Sequence, residues 1–315
     1  MTTKPTSDAA KDANVSAVPE KRPKRRIQQK DWAPYVFLAP MLIFFIVFFL
    51  LPMGFSFYLT FTRWNPLTTP EWIGLENYSH LFGSKTFRDS LKYTGYFAFG
   101  SILIGVPLAL IVAFVFTQSR YKAFWRSLYF LPMITNIAAI GFLWQFILDG
   151  NGGLINRVLG WVGINGPNWL SDPSVAMWAV IIVAVWYYLG QDMLLFSAGL
   201  EGIDDSFYNA AKVDGANTAQ MFWHVTVPLI RPTLLFVSIT GFIRAMGSAF
   251  ALILVLTGGG PVQSTNVTAL YMYQMAFTDL RMGRASAAAF VLFVVIFIIT
   301  LVQLRLFRRG GLESY

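Results

Sequence analysis

From Trp32 to Thr62 the chain runs 31 residues without one charged side chain. An α-helix rises ~1.5 Å per residue, so about 20 apolar residues cross a hydrocarbon core of ~30 Å. The run is also far longer than the 7–15-residue apolar region of a cleaved signal, and no small-residue cleavage pattern closes it. It is a retained first span, and a chain that begins this way folds in lipid. Composition agrees: charged residues make up 13% of the 315 residues and hydrophobic ones 56%, against ~25% charged in soluble domains.

Five more apolar stretches follow. The spans fall at about 34–60, 92–117, 127–148, 174–199, 229–256 and 285–307. Pro40, Pro52, Pro107 and Pro132 lie inside them, where neighbouring helices can satisfy the carbonyls that proline leaves free. The expected organisation is a basic, disordered tail over 1–32, a six-span domain over 33–308 and a short tail over 309–315. A loop over 201–228 joins spans four and five.

An even number of spans puts both ends on one side, and the basic residues say which. Of the 24 Lys and Arg, sixteen fall in segments on the side of the termini, seven on the other side, and Arg244 lies within span five. The bias predicts both termini in the cytoplasm. Eight of the sixteen are in the first 32 residues, where a basic tail holds that end inside; a nucleic-acid tail is the competing reading. Tryptophans in the outer segments are either interfacial anchors or partner contacts. With no cysteine, disulfides, thiolate metal sites and cysteine nucleophiles are excluded.

The loop YNAAKVDGANTAQMFWHVTVPLIRP (Tyr208–Pro232) is too polar for lipid and too patterned for a plain connector. Asp204, Asp205 and Ser206 suit a helix N-cap, Ala210 and Ala211 favour helix, and Gly215 suits a left-handed C-terminal cap. Asn217 can cap a second short helix that ends before Pro228. Phe207 and Tyr208 would project as aromatic contacts, and small Ala210 and Ala211 would let a partner backbone approach. An amphipathic surface connector is the plainer alternative.

Within the spans two charges stand out, since burial in lipid costs several kcal/mol: Asp192 and Arg244. Arg244 could bond a solute hydroxyl or an anionic group, or serve as a structural partner for carbonyls or Asp192. Asn136, Trp144, Gln145, Trp186, Tyr187 and Tyr188 offer flat rings and amides of the kind that bind sugars; helix packing is the alternative role for the same rings.

The loop resembles the Glu-Ala-Ala loop of binding-protein-dependent ABC transporter permeases. Ala210, Ala211, Gly215 and Pro228 fall at the motif positions with its spacing. Asn209 replaces the Glu, and Val225 and Val227 replace Ile and Leu, so any ion pair of that Glu is not carried over. IGLENY (Ile73–Tyr78), FWRSLYFLP (Phe124–Pro132), WLSDP (Trp169–Pro173), AGLEGID (Ala198–Asp204) and LTGGGP (Leu256–Pro261) are similar to the MalF-like sugar-permease branch. The resemblance implies an all-α MetI-like permease fold of six transmembrane helices in the cytoplasmic membrane of a prokaryote. It implies partners too: a second homologous permease, two ATPase subunits and an extracytoplasmic solute-binding protein, with membrane lipid around them and no nucleic acid. Asn209, Ala210, Ala211, Asp214, Gly215 and Pro228 would form the ATPase-coupling loop.

The sequence contains no GxxxxGK[ST] phosphate loop. The expectation is therefore a permease that is not itself an enzyme and holds no cofactor or metal, with ATP and Mg in the partner ATPase. Alternatives are a stand-alone secondary transporter or channel, which calls for inverted repeats and broken half-helices, and an ABC permease for a non-sugar solute such as glycerol phosphate. A membrane enzyme would need more convergent acid, base or metal ligands than Asp192 and Arg244 supply.

Overall fold

A computed structural model describes residues 33–117, 119–247 and 249–308. The expected tails over 1–32 and 309–315 lie outside the described residues. Among the described residues the regular structure is helical apart from a two-residue ladder, β1 (Thr62–Arg63) against β2 (Glu71–Trp72).

Four helices are long and apolar enough to cross a membrane unbroken: α1 (Pro34–Leu59), α3 (Lys85–Thr117), α7 (Ala176–Glu201) and α13 (Met282–Phe307). Two further spans form only if each of two bent pairs counts as one. These are α4 (Lys122–Ile134) with α5 (Ile137–Ile147), bent by 95°, and α9 (Thr218–Leu229) with α10 (Arg231–Gly247), bent by 71°. The remaining helices are α2 (Glu76–Gly83), α6 (Leu154–Trp161), α8 (Asp205–Val213), α11 (Phe250–Leu256) and α12 (Thr268–Tyr273).

Spans three and five thus differ from the single helices expected over 127–148 and 229–256. The residue that turns span three is Asn136 rather than Pro132 alone. Thr135 is extended (φ −77°, ψ 145°), and the Asn136 side chain accepts the Ala138 amide at 2.8 Å, capping a new helix. In span five, Pro232 has no amide to donate, so α9 ends at Leu229 and a fresh helix starts at Arg231. The chain breaks again before Phe250.

Prolines also widen helices. Pro52 follows a π-turn over Ile46–Leu50, in which the Leu51 amide reaches Ile46 O. Pro228 follows another over Phe222–Thr226, in which the Val227 amide reaches Phe222 O. A proline ring crowds the carbonyl four residues before it, and the wider turn relieves that clash.

Compact units divide between Pro52 and Met53. The first is a helix of exposed apolar residues, with phenylalanines meeting one turn apart: Phe44 and Phe48 at 4.8 Å, Phe45 and Phe49 at 5.7 Å. The second is built around α7. Two-thirds of its apolar window is buried (67%), against 28% for α3 and 22% for α13. So α7 is the axis of the bundle, and the helices around it turn apolar faces outward. Phe97, Ile181, Phe242, Ile253 and Leu270 form one core, and Leu110, Met193, Phe196, Leu200 and Ile230 a second toward the loop after α7.

Close approach depends on glycine. A Cβ on Gly190 of α7 would collide with the Tyr129 backbone of α4, which is how small residues draw membrane helices together. Asn77 of α2, 3% exposed, donates to Thr60 O at 2.9 Å and Thr62 O at 2.8 Å. Two otherwise orphaned carbonyls at the end of the first span are satisfied by this one amide.

Candidate functional site

The loop after α7 is made of two capped helices. Asp204 Oδ1 accepts the Ser206 amide at 2.7 Å and starts α8. That bond holds the Asp204 carboxyl below its ordinary range. At the other end, Asp214 is the C-cap and Gly215 takes φ +76°. The Gly215 amide bonds Lys212 O at 3.1 Å and the Ala216 amide bonds Ala211 O at 2.9 Å, the paired closure of a Schellman turn. Asn217 then caps α9 in a reciprocal box. Its side chain accepts the Gln220 amide at 2.9 Å, and the Gln220 side chain accepts the Asn217 amide at 2.8 Å.

Two expectations about this loop change. Pro228 lies inside α9, which continues to Leu229, because the π-turn makes room for its ring. Phe207 projects outward at 48% exposure, but Tyr208 turns inward and its hydroxyl lies 3.1 Å from Thr226 Oγ1. Asn209 and Ala210 are exposed and Ala211 is half-buried. A groove of about 820 Å³ runs along the loop, lined by Lys122, Glu201, Asp205, Asn209 and Lys212 among others. The root of the loop is pinned at Glu201, whose Oε1 lies 3.0 Å from Lys122 Nζ and 2.9 Å from an Arg126 guanidinium nitrogen.

The second polar constellation lies between α3, α7 and α10. Arg244 donates to both Asp192 carboxylate oxygens, at 3.0 and 2.8 Å, and to Gln191 Oε1 at 2.9 Å. Its guanidinium sits 4.3 Å from the Tyr188 ring centroid. Asp192 is 5% exposed, and a small cavity of about 30 Å³ opens beside the pair. The two charges singled out inside the spans, Asp192 and Arg244, are therefore matched to each other.

The other expected pathway residues do not converge on one point. Tyr187 packs edge-on against Tyr188 at 4.8 Å, and its hydroxyl donates to Thr135 O at 3.3 Å. Trp144 meets Trp186 at 5.3 Å. Gln145 donates to Val255 O at 2.5 Å and Leu256 O at 3.3 Å, satisfying carbonyls that the end of α11 leaves open. Asn136 is exposed at the bend of span three. Gln191, Thr226, Gln220 and Glu201 were not singled out in the sequence. Only Gln220 carried a local signal, three residues after Asn217.

This geometry belongs to a known architecture. The model of the family "Binding-protein-dependent transport system inner membrane component" matches residues 105–310. The chain is 38% identical over 287 residues to the probable ABC transporter permease protein YesP of Bacillus subtilis, covering 88% of this chain and 91% of that protein. It is 31% identical over 285 residues to AmyD of Thermoanaerobacterium thermosulfurigenes, covering 89% and 95%. AmyD is described as a probable starch degradation products transport system permease protein. Among solved structures, a bacterial alginate ABC transporter in complex with an alginate pentasaccharide-bound periplasmic protein contains a chain that is 25% identical. It superposes with a TM-score of 0.78 over 90% of this chain and 97% of that one. The all-α, MetI-like permease fold, with four to six candidate spans, and the multi-pass membrane residence expected from the resemblance both stand, and the chain belongs to the family of binding-protein-dependent transport system inner membrane components.

Proposed function

We propose that this chain is one of two permease subunits of an ABC importer that carries a sugar or oligosaccharide by alternating access. ATP binding and hydrolysis would take place in separate ATPase subunits, with Mg, and a solute-binding protein would deliver the solute from outside. Both termini and the loop over 201–228 then face the cytoplasm. The observation that carries the reading is the double-capped loop from Asp204 to Leu229, a rigid pair of helices with an exposed face at the end of a buried axis. Such a pair gives a partner something firm to move, and a bundle with two packings responds as a whole. The saccharide class is supported by AmyD and the alginate transporter, whose names specify starch products and alginate.

Within that class the charge balance favours a neutral solute. Arg244 is matched by Asp192, leaving its charge compensated before any solute arrives. Asn136 and the Trp144–Trp186 pair would supply amide and ring contacts along the path, and Arg244 would hold helices together. The test is the complex reconstituted with its ATPase, second permease and binding protein. Its ATPase rate is measured with maltooligosaccharides, alginate oligosaccharides and glycerol 3-phosphate. Stimulation by the neutral saccharides supports the proposal. Stimulation by glycerol 3-phosphate alone rejects the saccharide class, and a transport current without ATPase rejects the importer.

A further inference from the structure

The helix that would meet the ATPase is weakly attached to the bundle it must move. None of the residues of α8 is buried. Its inward-facing Tyr208 reaches α9 through one hydroxyl contact, 3.1 Å to Thr226 Oγ1. Thr226 is 0% exposed, and its hydroxyl also returns to Met221 O at 3.4 Å, across the π-turn that precedes Pro228. The same turn is anchored to the bundle on its other side. Phe222 meets Phe114 of α3 at 5.0 Å, and Ile230, just beyond α9, is 1% exposed in the core with Leu200 and Phe196.

We infer that Tyr208 and Thr226 form a hydroxyl strut that makes α8 and α9 turn as one lever, so that a displacement of α8 reaches α10 instead of bending the loop at Gly215. The inference rests on the importer reading and names two positioning residues for it. Without the strut, the covalent connection from α8 to α9 is the turn through Gly215, Ala216 and Asn217, whose soft dihedrals would absorb the motion. With it, the two helices and the π-turn between Met221 and Val227 close into one hydrogen-bonded unit. Pro228 contributes by forcing the wide turn that brings the Thr226 hydroxyl within reach of both Met221 O and Tyr208.

The chain's lack of cysteine allows a direct measurement. Spin labels go on Val213→Cys in α8 and Phe236→Cys in α10, both exposed, in the assembled complex. Distances are recorded without nucleotide and with MgATP plus vanadate. In the parent one distance population dominates in both states. In Tyr208→Phe and Thr226→Val a second population grows about fivefold with MgATP, the factor expected from losing one hydrogen bond. Thr226→Ser keeps the parent distribution, which a general packing defect would not do. The double variant is no worse than either single one. If Tyr208→Phe matches the parent while the ATPase still co-purifies, or if the two single effects add independently, the strut is refuted alone. If the ATPase does not co-purify with the parent chain, the importer reading falls and takes the strut with it.

Discussion

Replacing Gly215 by valine tests the loop through its backbone alone. Gly215 sits at φ +76°, and a Cβ built there meets nothing within 4 Å. There is thus no clash to relieve, and the whole cost comes from holding a β-branched residue in left-handed conformation, ~1–3 kcal/mol. Apart from the Tyr208–Thr226 contact little else holds α8 in place, since it has no buried side chain. The penalty therefore falls on the Schellman closure, the bonds from Gly215 to Lys212 and from Ala216 to Ala211. At ~1.4 kcal/mol per factor of ten, the closed turn loses about five- to over a hundredfold in population relative to its open forms. Membrane insertion and assembly stay intact, because the spans are untouched. The assay is binding-protein-stimulated ATPase and solute uptake in proteoliposomes across Gly215→Asn, Gly215→Ala and Gly215→Val. Coupling is expected to fall in that order, since Asn tolerates the left-handed region best among them. A valine variant as well coupled as the parent would show that the cap is dispensable and that the loop is held by contacts with its partner.

Removing the Asp192 carboxylate with Asp192→Ala leaves the Arg244 guanidinium in the bundle without its counter-charge, a loss of about 3–5 kcal/mol in comparable buried pairs. The yield of folded complex should collapse and largely recover in Asp192→Leu/Arg244→Met. A well-assembled Asp192→Ala with altered solute preference would instead place the pair on the solute path. Gly190→Ala drives a methyl into the Tyr129 backbone, so the detergent-purified chain should melt at a lower temperature, by about 1–3 kcal/mol of overpacking or more; an unchanged melting curve would contradict the close α4–α7 contact. The Asp204 carboxyl is held below its ordinary value of 3.8 by the Ser206 amide, so its capping contribution is complete above that value and fades as the pH falls below it. Protection of the α8 amides, relative to their intrinsic exchange rate at each pH, should fall as the pH drops below about 4 and lose that dependence in Asp204→Asn. Equal pH dependence in both would assign the effect to another group.

What could be read in the chain beforehand was whatever is encoded locally. Apolar runs located α1, α7 and α13 to within three residues and the end of α3, whose charged first turns from Lys85 to Lys92 hid its start, and the caps at Asp204, Gly215 and Asn217 are written in short-range patterns of donors, acceptors and glycine. The bend at Asn136 was hidden because its signal is a side chain choosing the backbone amide of Ala138 over solvent, which apolar periodicity does not register. Contacts across elements were equally silent. Nothing near Gln145 announces that it serves carbonyls at Val255 and Leu256, and nothing near Tyr208 announces Thr226. Arg244 and Asp192 stood out as the two charges within the spans, while Gln191 and the Tyr188 face that complete their environment followed only from helix packing.

The sharp turn in span three has a further consequence. The turn lies ~20 Å along α4 from Lys122. A helix C-terminus and a helix N-terminus meet there, bringing together opposite ends of two backbone dipoles, each equivalent to about half a charge. Thr135 O is already addressed by the Tyr187 hydroxyl, and the Asn136 side-chain Oδ1 by the Ala138 amide. The bundle therefore carries a neutral polar patch made from main chain and one amide. Such a patch can exchange hydrogen bonds with a hydroxyl-rich molecule without an ionised group having to be stripped of water on every transport cycle.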